Sequence, residues 1–510
     1  MVHRGKLSAA CGPCRSRRLK CDQLKPFCSQ CIRAKRECSG YRDVSAGRFY
    51  DQTEEVKKKN STSSPSTSSS SSSYPSPNRR SSPADAFALV PRQVSVPLQD
   101  HGTAFMLARY LSQDGPDEVQ GPLGTFLPHI LNTSSGRAVT ASLNAVGLAA
   151  LSNIHQSPQL MFTARQEYGT ALAETNAVLR DQAQSTSNTS LVAVAFLGLF
   201  ELMTCNGPPL MEKYLNHVEG SAKLLQLRGS DQLKDNIGLG LFSQFRMTIV
   251  LGNFWLKRST PAWLVDLSQE AIARREEKDC VGDELFLLMA KVGDLCAGLR
   301  DGALIEPVKV VKTALKLDAE LSAWAMSLDS SQRYTVVRVP EPADEVSRNA
   351  PFRHVYSNQY HIYPGTVTAT WWNDYRFVRL ILLELICWLC DHLARKDEDA
   401  GSEYRRTIAH STTLSQQLTE DVCASVPYHL GATKDSLHED WSSTRTGGMI
   451  RLIWPLFIAA DCAGATAKTV DWIADTLFRI GCGVGIQQAI VMSNLLRSGQ
   501  HLTWLPELGG

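Results

Sequence analysis

The stretch that decides the N-terminal fold is Cys11-Gly-Pro-Cys-Arg-Ser-Arg-Arg-Leu-Lys-Cys21, followed after six intervening residues by Cys28-Ser-Gln-Cys-Ile-Arg-Ala-Lys-Arg-Glu-Cys38. The spacing is C-x2-C-x6-C-x6-C-x2-C-x6-C, so the two halves repeat one pattern. A structural zinc ion takes four ligands, so two ions need eight ligand positions. Only six sulfurs are available, so two of them must each bind both ions. The repeat predicts that the equivalent Cys11 and Cys28 bridge. Each ion is then completed by one further pair: Cys14 with Cys21, and Cys31 with Cys38.

Positive charge is concentrated around these cysteines. Residues 1–50 carry twelve Lys/Arg against three acidic residues, a local charge of +9 on a chain whose formal net charge is +2. A basic block on a near-neutral chain is typical of a surface that binds a polyanion. Six thiolates and two Zn²⁺ ions sum to −2, which the surrounding Arg and Lys residues offset.

The residues after Cys14 supply the predicted DNA contacts. Each C-x2-C is expected to open a short helix, with Pro13 in the first turn of the first one. Arginine can bond bidentately to guanine O6 and N7, whereas lysine more often neutralises phosphates. One or two turns of helix would present to the major groove a cationic cluster made of Arg15, Arg17, Arg18 and Lys20.

From Cys11 to Tyr41 the segment resembles the fungal Zn₂Cys₆ binuclear cluster family, including the run Cys-Gly-Pro-Cys-Arg-Ser-Arg-Arg-Leu-Lys-Cys-Asp, Pro26 and the ending Cys-Ser-Gly-Tyr. The resemblance implies a nuclear regulator of transcription that binds double-stranded DNA. It also implies that Arg17 and Arg18 occupy the positions whose side chains read a CGG triplet. Two alternatives are a disulfide knot, which the lack of an apolar signal-peptide run at the N-terminus disfavours, and a structural or storage zinc module.

Composition divides the chain into three parts. Residues 1–43 form the Cys-rich basic domain, and residues 44–97 form a linker. Within residues 61–83, thirteen of 23 residues are Ser and four are Pro, so the linker cannot bury enough apolar surface to fold and is predicted to be disordered. Residues 98–510 have apolar residues at three- and four-residue spacing, which predicts a large all-α domain. The predicted fold class is therefore mainly α.

Residues 214–229 show the helical pattern most clearly, and Arg228-Gly229 supplies a cation and a left-handed cap at its end. The segment resembles the His-x-x-Gly…Leu-Leu-x-x-Arg-Gly motif of the fungal-specific transcription factor domain, and residues 372–376 and 485–489 resemble later landmarks of that domain. The resemblance implies a regulatory, effector-sensing domain. Predicted helices lie near 140–152, 159–180, 190–204, 370–394, 403–424, 449–464 and 470–497, with no convincing succession of strands.

Catalysis is not supported by any motif in the helical region. His217 has no second metal ligand nearby in sequence, and Cys387 and Cys390 lie inside an apolar helix pattern, so packing roles are expected. Walker A, G-x-S-x-G and H-E-x-x-H motifs are absent from the sequence. An enzyme that uses the zinc module for targeting remains the alternative from a different class. The apolar segments 191–205 and 377–390 are too short and too charged to span a membrane.

The sequence therefore predicts a non-enzymatic, zinc-dependent transcription factor that binds CGG-type half-sites in the nucleus. It is expected to activate RNA polymerase II transcription of a metabolic or secondary-metabolite pathway. Two Zn²⁺ ions are the predicted cofactors, and DNA, a small-molecule effector and the transcription machinery are the predicted partners. No apolar heptad series follows Cys38 as far as Lys59, which argues against a coiled coil there and leaves dimerisation open.

Overall fold

The computed structural model of the chain describes residues 10–17, 19–41, 97–111, 127, 131, 136–205, 207, 211–276, 280–301, 306–340, 355–396, 401–437 and 447–500. The chain divides into two units, Met1–Arg92 and Gln93–Gly510. The predicted linker at 44–97 lies outside the described residues except for Pro97, and Arg18 lies outside them as well.

The first unit is built from two short helices related by a shift of 17 residues. Helix α1 spans Gly12–Ser16 and helix α2 spans Ser29–Arg33, and each follows directly on a cysteine. Pro13 lies in the first turn of α1, as predicted. The backbone therefore repeats as the sequence does, and the same six-residue hydrogen bond closes both helices: Leu19 N–H to the Cys14 carbonyl (2.9 Å) and Arg36 N–H to the Cys31 carbonyl (3.0 Å).

The second unit is mainly helical, which confirms the predicted fold class. Where helices were predicted, helices are found, with bounds that differ by a few residues. Five further helices, α3 and α8 to α11, were not predicted individually. The described elements are α3 Leu98–Met106 with a π-helical turn Leu107–Leu111, α4 Arg137–His155, α5 Pro158–Arg180, α6 Asn188–Thr204, α7 Met211–Arg228 with a 3-10 turn Gly229–Leu233, α8 Asn236–Leu256, α9 Ala262–Ala273, α10 Val281–Arg300, α11 Pro307–Ser327, β1 Thr335–Arg338, β2 Gln359–Ile362, α12 Thr366–Lys396, α13 Gly401–His429, α14 Gly447–Asp461, α15 Ala467–Val484 and α16 Gln487–Arg497.

A single large cluster of buried apolar side chains runs through the second unit, from Met106 to Leu496. Helix α4 packs against α3, α5 and α6, and the 31-residue α12 packs against α11, α13 and α14. Side-chain caps begin several helices where the sequence changes from loop to apolar pattern. Three such caps are Ser187 on Ser190 N–H (3.1 Å), Asp235 on Gly238 N–H (2.8 Å) and Thr466 on Thr469 N–H (3.2 Å).

Helix α7 confirms the apolar stripe predicted for residues 214–229. Leu215, Val218 and Leu225 are buried, and Gly229 has a φ of +56°, the left-handed conformation expected of the cap. His217 packs inside the unit, where its Nε2 lies 3.3 Å from the Tyr168 hydroxyl. Its role is therefore a polar contact between helices, as the lack of nearby metal ligands predicted.

A small β-hairpin differs from the sequence prediction, which contained no strands. Strands β1 and β2 pair antiparallel, with Thr335 opposite Ile362. Tyr334, just before β1, lies over the guanidinium of the buried Arg376 (4.9 Å from its ring centroid). Arg376 also donates to the Tyr363 hydroxyl at 2.7 Å. Two four-residue strands carry too little alternation to be recognised from sequence. Strand β2 packs against α13, while Arg376 of α12 contacts the flanking Tyr334 and Tyr363.

Within the described residues, every helix is too short or too polar to traverse a lipid bilayer.

Candidate metal centre and nucleic-acid interface

The six cysteines predicted as metal ligands come together in the first unit. Their sulfur atoms divide into two groups of four, and the ligand atoms within each group lie within 4.8 Å of one another. Cys11 and Cys28 belong to both groups. The two groups are Cys11, Cys14, Cys21 and Cys28, and Cys11, Cys28, Cys31 and Cys38.

The sulfur spacing fits two tetrahedra that share an edge. A zinc–sulfur bond of about 2.3 Å in a regular tetrahedron places neighbouring sulfurs about 3.8 Å apart. The Cys11 and Cys28 sulfurs, which would form the shared edge, are 3.7 Å apart. The Cys11–Cys31 and Cys14–Cys28 sulfur distances are 3.6 Å and 3.7 Å, so each shared sulfur also has a neighbour in the opposite half. The donor set thus fits two zinc ions that share two sulfurs.

Backbone amides prepare two of these sulfurs for the thiolate form that binds metal. The Cys28 N–H is the main cause that lowers the pKa of Cys38 to about 7. At the equivalent place in the other half, the Cys11 N–H lowers the pKa of Cys21. Burial, assisted by the adjacent sulfurs, raises the pKa of Cys14 to about 12. Bound Zn²⁺ would supply the positive charge that keeps such crowded thiolates deprotonated.

Two side chains cross between the halves and were missed by the sequence reasoning. Asp22 directly follows the last cysteine of the first half. Its carboxylate accepts the backbone N–H of Ser29 at 3.2 Å and also the Ser29 hydroxyl, at the start of α2. Ser39 directly follows the last cysteine of the second half, and its Oγ accepts the Gly12 N–H at 3.3 Å, at the start of α1. The pairs are equivalent under the 17-residue shift, so superposing the two repeats could have revealed them.

The predicted DNA contacts are placed differently from the expected helical face. Helix α1 ends at Ser16, Arg17 is its C-terminal cap, and Lys20 lies beyond it in a segment without regular secondary structure. The helix carries only Arg15 of the four residues, because the Leu19 N–H bond to the Cys14 carbonyl closes it after little more than one turn. Arg18 lies outside the described residues.

The three described cations are nevertheless all exposed, as a nucleic-acid contact requires. Arg15 also donates from Nη1 to the Ala10 carbonyl at 2.6 Å, which leaves other guanidinium donors available. The second half contributes further exposed cations close to the cluster. These are Arg33, Lys35 and Arg36.

Comparison with known proteins finds relatives that match a short stretch of this chain. Transcriptional regulatory protein moc3 of Schizosaccharomyces pombe is 46% identical over 41 residues, which are 8% of this chain and 8% of that protein. White-opaque regulator 2 of Candida albicans is 54% identical over 35 residues, 7% of this chain and 8% of that protein. An uncharacterized transcriptional regulatory protein of S. pombe is 50% identical over 38 residues, 8% of this chain and 7% of that protein. No solved structure matches the chain.

These matches therefore span less than a tenth of each relative. The relatives are named as regulators, which agrees with the prediction that the chain is not an enzyme. The family model that matches is the fungal Zn(2)-Cys(6) binuclear cluster domain, over residues 9–47. With the two sulfur tetrads in place, residues 9–47 belong to this family, whose domain binds two zinc ions.

Proposed function

We propose that the chain is a zinc-dependent, sequence-specific DNA-binding regulator of transcription. The observation that carries the proposal is the pair of sulfur tetrads sharing Cys11 and Cys28, beside a segment of exposed cations. The finer parts of the proposal are CGG-type half-sites, nuclear location and activation of RNA polymerase II transcription of a metabolic or secondary-metabolite pathway. They rest on the resemblance of this segment to the binuclear cluster family.

Metal binding and DNA reading are coupled through α1. The segment has almost no apolar core besides its cysteines, so two zinc ions would supply most of the free energy that orders it. The ordered backbone fixes the direction in which the chain leaves Cys14. Arg17 and Arg18 then reach base edges in the major groove, while Lys20 and the free donors of Arg15 bind phosphates. Cys11, Cys14, Cys21, Cys28, Cys31 and Cys38 are the proposed metal ligands.

The helical unit is proposed to regulate this activity. Its resemblance to the fungal-specific transcription factor domain supports a role in sensing a small-molecule effector or in contacting the transcription machinery. Its continuous buried core supports independent folding, with no need for zinc or DNA. The proposal transfers no ligand-contacting residue to this unit.

Selection of bound sequences from a random duplex library tests the proposed function. The zinc-loaded full chain should enrich a short motif containing CGG, and a chelator should abolish the enrichment. An Arg17→Ala, Arg18→Ala double variant should lose the motif, whereas the matched exposed cation variant Arg33→Ala in the second half should keep it. A wild-type selection without any enriched motif, or enrichment that survives full removal of zinc, would overturn the proposal.

A further inference from the structure

Helix α12 carries a carboxylate deep inside the apolar core. Asp374 is 2% exposed, and the buried Phe377 and Val378 follow it one turn later on the same helix. Its Oδ2 atom is enclosed and has no hydrogen-bond partner in the part of the chain that the structure describes. Burying a carboxylate is strongly unfavourable unless a cation or hydrogen-bond donors compensate. Asp374 therefore marks a position where a donor is missing.

A cation lies on a facing helix without neutralising this carboxylate. Arg451 is a half-buried residue of α14, which packs against α12. Its guanidinium makes no hydrogen bond or ion pair with any residue across the described ranges. A guanidinium is always charged and has five N–H donors. Two opposite charges thus lie on packed helices without pairing directly.

Helix α8 locates the place where the two charged helices meet. The ring of Phe377 on α12 packs edge-on against Phe254 of α8, with centroids 5.8 Å apart. The ring of Trp454 on α14 packs in the same way against Trp255, the next residue of α8, at 5.0 Å. The carboxylate and the guanidinium each lie three residues before these rings, about one helical turn away. Both belong to the same junction of α8, α12 and α14.

A third polar group comes from α7. Burial raises the pKa of Tyr214 to about 12, and the charge of Arg451 opposes this effect. Burial likewise raises the pKa of Asp374 to about 7, again opposed by Arg451. The Tyr214 hydroxyl forms no hydrogen bond with the described residues. A carboxylate, a guanidinium and a hydroxyl from three helices therefore act on one another, and each retains unused hydrogen-bonding capacity.

The chemistry of these groups defines the kind of molecule that would satisfy them together. Asp374 requires a donor that carries positive charge, and Arg451 requires an acceptor that carries negative charge. A simple cation would leave the guanidinium unpaired, and a simple anion would leave the carboxylate unpaired. An α-amino acid carries an ammonium group and a carboxylate on one carbon atom, so it can bridge both. The rings of Trp255 and Trp454 supply apolar surface beside Arg451.

We propose that Asp374, Arg451 and Tyr214 bind a free amino acid in its zwitterionic form. Asp374 accepts from the ammonium group, Arg451 donates to the carboxylate, and the Tyr214 hydroxyl donates to the same carboxylate. The ligand thereby connects α7, α12 and α14, which belong to distant parts of the chain. The regulatory meaning of the site rests on the proposed effector-sensing role of the helical unit, whereas binding itself does not.

Thermal unfolding of the zinc-loaded full chain, with each standard amino acid added in turn at millimolar concentration, tests the site. At least one amino acid should raise the Tm by about 2 °C, because a ligand that binds only the folded state stabilises it. The N-acetyl and amide derivatives of that amino acid each lack one charge and should have no effect. Failure of every amino acid, or an equal effect of either derivative, overturns the proposal. DNA binding plays no part in this measurement, so its outcome is separable from that of the proposed function.

Charge-removing variants test the assigned roles by isothermal titration with the amino acid so identified. Asp374→Asn and Arg451→Gln should each weaken binding at least about tenfold. Asp374→Asn removes a buried charge, so its Tm without ligand should not fall. Asp266→Asn, at an exposed aspartate of α9, is the matched control and should bind as the wild type does. Wild-type affinity in either site variant, with wild-type helical circular dichroism, overturns the assignment.

Discussion

The half of the cluster at residues 11–21 and the half at residues 28–38 share cysteine spacing and the hydrogen bond that closes each helix. Even the residues just after their last cysteines agree, since Gln23 and Gly40 occupy equivalent positions and have φ values of +55° and +77°. Their outward side chains nevertheless differ in kind. In the order of the repeat, Arg15, Arg17, Arg18 and Lys20 correspond to Ile32, Ala34, Lys35 and Glu37.

This difference separates what holds metal from what binds DNA. Both halves supply three sulfurs, so metal binding requires only the backbone and cysteines that they share. A phosphate contact requires a cation, and the 62% exposed Ile32 cannot replace Arg15 in that role. Glu37 in the position of Lys20 would repel the DNA backbone. The first half is therefore expected to face DNA, while the second half completes the metal centre.

Replacing a shared cysteine gives the largest effect expected, because it removes a ligand from both ions. The wild-type chain should contain two zinc ions, Cys28→Ser should lose most of both, and Cys38→Ser should lose about one. Elemental analysis of zinc per chain after desalting measures the three values. Cys482→Ser, an exposed cysteine of the helical unit, is the control and should keep both ions. Equal losses from Cys28→Ser and Cys38→Ser would falsify the shared-sulfur arrangement.

The base-reading role assigned to the first half is tested by a pair of equivalent cations. Arg18→Ala should cost about 1–3 kcal/mol on a CGG duplex and flatten the preference over single-base variants, because a bidentate guanine contact is lost. Lys35→Ala, the same position of the repeat in the second half, should leave that preference intact. Fluorescence anisotropy on the cognate duplex and its variants compares them. If Arg18→Ala weakened every duplex equally, Arg17 would become the better base reader.

Much of the metal centre was predictable from sequence because cysteine chemistry leaves few solutions. The number of sulfurs and their repeat led to the assignment of Cys11 and Cys28 as bridges, and the structure places their sulfurs in both tetrads. The length of α1 was not predictable in the same way. Residues 15–20 have no pattern that ends a helix, and the end at Ser16 arises from the backbone bond to the Cys14 carbonyl that lets the chain return to Cys21.

The helical unit was predictable where a helix has a regular apolar stripe, as α7 does. Helices α3 and α8 to α11 were not predicted individually. Buried residues cover more than one face of α8 and α10, which blurs the period, whereas those of α11 follow a helical spacing that could have been recognised. The hairpin was missed for a different reason. Its strands are short, and β2 packs against α13, which begins about 40 residues later in the chain.

A smaller effect is expected from single phosphate contacts. Lys20→Ala should weaken cognate and non-cognate duplexes alike, and it should lower the slope of log affinity against log salt by about 0.9, because one fewer counterion is released. Glu37→Ala, its counterpart in the second half, should leave the slope unchanged and strengthen binding slightly. Titrations at several salt concentrations measure both slopes. A Lys20→Ala slope equal to that of the wild type would mean that Lys20 does not contact phosphate.

The smallest effect expected distinguishes the two side chains that cross between the halves. Asp22 accepts both the backbone N–H and the hydroxyl of Ser29, whereas among the described residues Ser39 accepts one bond, from the Gly12 N–H at 3.3 Å. The carboxylate also forms charge-assisted hydrogen bonds, which are stronger than those of a hydroxyl. Loss of the Asp22 side chain should therefore loosen the cluster more than loss of the Ser39 side chain, although the two residues occupy equivalent positions of the repeat.

Zinc transfer to a coloured chelator measures this difference in the full chain, since loosening of the cluster exposes the metal. Asp22→Ala should release zinc a few-fold faster than the wild type, and Ser39→Ala should be intermediate. Ser16→Ala is the control, because its hydroxyl donates to the Pro13 carbonyl within α1 and not to the other half. Ser39→Ala releasing zinc as fast as Asp22→Ala would show that the two crossings contribute equally, and the halves would then differ only in the charges that they present to DNA.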